Sequence, residues 1–142
     1  MQDKRSKWKN QYQLIDGSSN FHNKVREIFS SDPFFKQLKC FQEVLLSSLV
    51  DNYPNNYDAV DWYIDEFSCV IELHGIQHYK FQSFGSKDSV FNQKKNFNNI
   101  RFRDNRKKTA LLSAGYSYIE ISYKDERKLS ADFLKNKLLG IT

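Results

Sequence analysis

Only two cysteines, Cys40 and Cys69, occur in the 142 residues, and they form no Cys-x-x-Cys pair. That removes the usual ligand set of a structural zinc. Both thiols fall within apolar patterns, as reduced core residues do, so no structural zinc is expected. No apolar run approaches the ~18 residues of a membrane-spanning helix. The opening MQDKRSKWKN lacks an apolar segment, so no signal peptide is expected and the protein reads as cytoplasmic. Internal repeats and low-complexity tracts are missing too. No separate helix-turn-helix or zinc finger is present to supply base recognition.

The hydrophobic content is 39% and the aromatic content 15%, enough for one domain with a real core. Net charge is +5 and the isoelectric point about 9.1, a balance that favours an anionic partner, nucleic acid being the commonest. Residues 1–20 are polar and basic (Lys4, Arg5, Lys7, Lys9) and are expected to form a flexible arm, or one that touches nucleic acid. Residues 21–142 are expected to form a single domain.

Helix and strand signals divide that domain. A helix is predicted over 21–30. Asp32 followed by Pro33 is a helix start, with Asp32 as N-cap and Pro33 in the first turn. Phe34, Leu38, Phe41, Leu45 and Leu49 then recur at helical spacing, predicting a second helix to about Val50. Residues 51–56 read as a loop. Two strands lie within 57–79, and Gly75 ends the second. A loop follows at 76–88, then a long helix over 89–113 closed by Gly115. Tyr116–Tyr123 alternates as a third strand, and Ser130 caps a last helix. The expected order is α-α-β-β-α-β-α: an α/β fold with a small mixed sheet flanked by helices.

The segment YDAVDWYIDEFSCVIELHGIQHY, residues 57–79, carries the chemistry. Asp61, Glu72 and His74 lie inside strand-forming runs. Burying an unpaired carboxylate costs several kcal/mol, so acids placed there need a cation, and a metal ion is the obvious one. A two-residue loop at Asp65-Glu66 would pair Ile64 with Phe67 and Asp61 with Val70. Asp61, Val70, Glu72 and His74 then share one face. Trp62, Ile64, Cys69, Ile71 and Leu73 share the other, which reads as core.

The long helix adds a second signal. Arg101–Lys108 holds five basic residues around the single acid Asp104. Asp104 shares a stripe with Ile100 and Leu111, so it faces the protein while the cations flank it. One inward acid among outward cations suits phosphates lying over a metal centre. An i,i+4 pair of Asp104 with Lys108 on a solvated helix is the plainer alternative. Glu43 lies beside the apolar stripe of the second predicted helix. His22 reads as incidental.

Taken in order, Glu43, Asp61, the run Cys69–Gly75, Arg103-Asp104-Asn105-Arg106 and Gly115-Tyr116 to Ile121 resemble the very-short-patch-repair endonuclease family. They are similar too to phage and intron-associated homing endonucleases with a Glu–Asp–x–His–Asp motif, within the PD-(D/E)xK restriction-endonuclease-like superfamily. The resemblance covers roughly residues 35–125 and sets Glu43, Asp61, Leu73, His74 and Asp104 at the five motif positions. It implies a restriction-endonuclease-like core and a Mg²⁺-dependent endodeoxyribonuclease, with Mn²⁺ as a substitute, that nicks or cuts DNA in a bacterial cell or phage-infected host. By that resemblance Asp61 is the main metal ligand, Glu72 a second ligand or helper, and His74 the general base. Glu43 and Asp104 would hold metal-bound waters or orient His74. Lys94, Lys95, Arg101, Arg103, Arg106 and Lys107 would contact the DNA backbone. Gln77 and His78 would belong to a loop beside the site. Loop 76–90, the basic N-terminus, a homodimer or a partner protein would supply specificity, and no membrane is expected to be involved. The rival readings are a non-catalytic DNA-binding module or partner-dependent nuclease subunit, and, behind these, a structure-selective nuclease or an RNase.

Overall fold

A computed structural model of the chain describes residues 7–76 and 90–140, with side chains of the long helix from Lys94 onward. Lys4, Arg5, Gln77, His78 and most of the expected loop 76–88 lie outside the described residues. The elements are β1 (Lys9–Asn10), α1 (Asn20–Ser31), α2 (Pro33–Lys36), β2 (Cys40–Leu45), α3 (Leu46–Leu49), β3 (Ala59–Ile64), β4 (Cys69–His74), α4 (Val90–Ser113), β5 (Ser117–Ser122) and α5 (Ala131–Leu138). The fold is mixed α/β. Its five strands run in the order β1-β2-β3-β4-β5, antiparallel except for the parallel pair β4–β5 that α4 connects. No described helix is long and apolar enough to cross a membrane.

Each face of the sheet is covered. On one side Trp62, Ile64, Cys69, Ile71 and Ile121 pack against Phe21, Val25 and Phe29 of α1, Phe35 of α2 and Leu134 of α5. On the other, Phe41, Tyr63 and Val70 meet Leu46 of α3 and Leu111 of α4. Helix starts follow local chemistry. Asp32 accepts from the N–H groups of Phe34 and Phe35 at 3.0 and 3.3 Å, and Ser130 from Phe133 at 3.0 Å. Gly115, at φ 93°, lets the N–H groups of Gly115 and Tyr116 reach back to the carbonyls of Leu112 and Leu111 and close α4.

The helix expected over 33–50 is not formed. It is one turn of helix, the strand β2 and another turn. Two polar groups clamp the start of β2: the Glu66 carboxylate accepts from the Lys39 N–H at 2.8 Å, and the Lys39 carbonyl accepts from the Asp65 N–H at 3.0 Å. Ladders to β1 on one side and β3 on the other then satisfy its backbone. A short apolar run fits either period, and here pairing overrode spacing.

Part of the expected arm is also packed in. Trp8 sits edge-on to Phe41 and Tyr63 with centroids 5.2 and 6.1 Å away. Buried Gln11 donates through Nε2 to the carbonyls of Phe35 and Leu38, both at 3.1 Å, and accepts from the Cys40 N–H at 3.3 Å.

Candidate metal and nucleic-acid site

The β3–β4 connection is longer than the expected two residues. Ile64 pairs with Cys69 and Trp62 with Ile71, so Asp65–Ser68 make the turn, with Ser68 left-handed at φ 44°. The slip is an even number of residues, which keeps every side chain on its expected face. The next step of that register sets Asp61 opposite Glu72 rather than opposite Val70.

These two carboxylates line a pocket of about 270 Å³ together with Tyr57, Asp58, Ala59, Leu73, Arg103 and Lys107. Asp61 is fixed by its Oδ2, which accepts the Leu73 N–H at 2.7 Å. Glu72 is only 3% exposed. Burial, and after it the charge of Asp61, push its carboxyl well above the ordinary range, while Lys107 pulls it back. The Lys107 ammonium, buried at 7% exposure, lies 2.7 Å from Glu72 Oε1 and donates to the Ala59 carbonyl at 3.0 Å.

Lys107 was expected among cations facing DNA. It points inward instead, because it shares the inward stripe of Ile100, Asp104 and Leu111 at helical spacing. That periodicity is the sequence signal for it, set against the rarity of buried lysine. Arg106 is partly withdrawn as well. Its guanidinium is 2.8 Å from Oδ2 of buried Asp58, which also accepts from the Tyr53 hydroxyl at 2.5 Å and from Asn55 at 3.2 Å. Burial alone would raise the Asp58 carboxyl, but these donors together hold it below its ordinary value. Asp58 escaped the sequence reading because nothing local marks an acid before a strand as the anchor of a distant arginine. Lys94, Lys95, Arg101 and Arg103 are exposed along α4.

Of the remaining motif positions, Leu73 lines the pocket, whereas His74, Asp104 and Glu43 are not among its lining residues. His74 follows Glu72 on the same face, is 3% exposed, and brings Nδ1 to 3.2 Å from Glu120 Oε1 on β5. Asp104 is half-buried. Tyr118 on β5 lies within the electrostatic reach of these acids. Burial raises its phenol above the usual range, and the charges of Glu72, Glu120, Asp104 and Asp61 add to the effect. Glu43 is not helical. It stands opposite Asp61 in the β2–β3 register at φ 52°, which turns its half-exposed side chain to Lys9 at 3.2 Å.

The candidate donors are the carboxylate oxygens of Asp61 and Glu72, the oxygen type that a hard divalent cation takes. Among the described residues no cluster of three or more His, Cys, Asp or Glu side chains is arranged to hold a metal. Mg²⁺ is commonly held by one or two carboxylates, with water and phosphate completing its shell, so an opposed pair meets that demand. No protein-family model matches the chain, and no curated protein matches it.

Proposed function

We propose that the protein is a metal-dependent DNA endonuclease with a restriction-endonuclease-like core. The observation that carries the reading is the neighbouring pair Asp61–Glu72 in the lining of a pocket that Arg103 borders. Glu72 is buried beside the half-buried Asp61, and its carboxyl is raised first by burial and then by the Asp61 charge. A divalent cation would relieve that rise and is a better reason for the pair than stability alone. Asp61 and Glu72 would hold Mg²⁺, which polarises a phosphodiester and acidifies bound water.

The other residues would act around that centre. Lys107 orients Glu72 and opposes part of the rise in its carboxyl. Arg103 at the pocket wall, with Lys94, Lys95 and Arg101 along α4, would hold the phosphate backbone. His74, beside Glu120 at 3.2 Å through Nδ1, would serve as the general base. Asp104 would bias the electrostatics around Tyr118.

A second reading, a catalytically silent DNA-binding module, is favoured by one observation. The Lys107–Glu72 pair already balances one of the two acids. Supercoiled plasmid incubated with Mg²⁺ or with EDTA separates the two. The nuclease reading expects nicking with Mg²⁺ only, and binding without nicking selects the module. Asp61→Asn keeps an acceptor for the Leu73 N–H and should abolish nicking while the circular dichroism spectrum is retained. Unchanged cleavage by that variant would overturn the site. His74→Ala should slow cleavage by roughly 10²–10⁴ with DNA affinity near wild type, the usual value of a general base. Full activity would remove His74 from the chemistry.

A further inference from the structure

Two large aromatic side chains stand in solvent on either side of the Asp58–Arg106 pair, one of them in the wall of the acid pocket. Tyr57 is 74% exposed and forms part of the pocket wall, and Phe102 on α4 is 67% exposed. One buried anchor joins them. Asp58, next to Tyr57, holds Arg106 at 2.8 Å, and the Arg106 guanidinium carbon lies 5.6 Å from the centre of the Phe102 ring. Arg103, one residue beyond Phe102, lines the same pocket.

Neither ring belongs to either side of the core. The Tyr57 backbone N–H is held by Asn55 Oδ1 at 3.1 Å, so the loop does not depend on the phenol. Exposed rings with exposed cations on the same helix and at the pocket wall match a ligand that is planar at one end and phosphorylated at the other. In duplex DNA both faces of each base are covered by neighbours in the stack. An unpaired base has faces free to lie on a protein ring. Exposed Lys94, Lys95 and Arg101 extend the positive charge along α4 for the connected phosphates.

We infer that Tyr57 and Phe102 form a stacking platform for unpaired nucleotides, directing the pocket to DNA that is single-stranded or opened beside the phosphate it engages. The inference rests on the proposed function and names its substrate class. It is tested by fluorescence anisotropy of the full chain in EDTA, which reads binding without cleavage. Three labelled oligonucleotides of one sequence are compared: blunt duplex, duplex with a short central bubble, and single strand. The bubble and the single strand are expected to bind about tenfold more tightly than the blunt duplex, the value of one or two stacked bases. Tyr57→Ala and Phe102→Ala should each lose about tenfold on the bubble and less than about twofold on the duplex. Tyr57→Phe, which keeps the ring face, should bind the bubble like wild type. Equal affinity for bubble and duplex, or alanine variants that weaken both alike, would overturn the platform and leave the nuclease reading in place. Absence of binding to all three would remove the nucleic-acid reading and the platform with it.

Discussion

Glu72 is the residue whose state is most sensitive to its surroundings. Its buried carboxyl is pushed up by desolvation and by Asp61, so native packing favours the protonated form. The stability it contributes is therefore complete below the ordinary carboxylate value of 4.5 and is lost as pH rises through the elevated folded value. Glu72→Gln keeps the shape and removes the titration. The melting temperature of this variant relative to wild type should be more favourable at pH 8 than at pH 5. A difference that is flat or reversed with pH would show that Glu72 ionises normally. The same residue explains what spacing alone could and could not show. The shared face of Asp61, Glu72 and His74 followed from the period of two, which an even change in loop length preserves. The partner of Glu72 did not follow, because Lys107 lies 35 positions away on another element, as Glu72 and Lys107 in the sequence show.

At the scale of elements, β3 and α4 are tied by side chains from the loop before β3. Asp58 gathers Tyr53, Asn55 and Arg106 on one carboxylate. Removing one partner of a buried pair leaves the others uncompensated, so Asp58→Ala should cost about 3 kcal/mol in urea unfolding at neutral pH. Because the Asp58 carboxyl is held below its ordinary 3.8, that contribution is full above this value and fades as pH falls beneath it. A loss under about 0.5 kcal/mol would mean that water replaces these bonds without penalty. Helix starts at Asp32 and Ser130 and the stop at Gly115 were legible, since each depends on a few adjacent residues. Strand β2 was not. Its Phe41 and Val44 lie three apart and belong to the same cluster only because Glu43, with positive φ, breaks the alternation. That break depends on pairing with β3, which no local pattern contains.

Across the whole molecule, charge and anchoring lead to two measurements. If Lys94, Lys95, Arg101 and Arg103 each meet a phosphate, log affinity for duplex DNA should fall with log salt at a slope of about −3 to −4. Arg103→Ala should make that slope shallower by about 0.9. A slope near zero would show that the exposed cations of α4 do not bind the backbone. The second measurement concerns the N-terminal segment, which joins the sheet through β1 and through Gln11. Gln11 serves carbonyls from the α1–β2 region as well as the Cys40 N–H. Gln11→Ala should destabilise the whole domain by roughly 2 kcal/mol, seen as one cooperative shift in a denaturant melt. A negligible shift would return the segment to the status of an arm.

By itself the sequence determined the α/β class, most helix limits, the apolar face of the central hairpin and the gathering of acids on the opposite face. These follow from periodicity and capping, which act over a few neighbouring residues. Tertiary structure alone decided that 40–45 is a strand, that Asp61 faces Glu72, that Lys107 turns inward and that Arg106 is held by Asp58. Each of those depends on which distant segment lies alongside, and burial sets the energy of every charge involved.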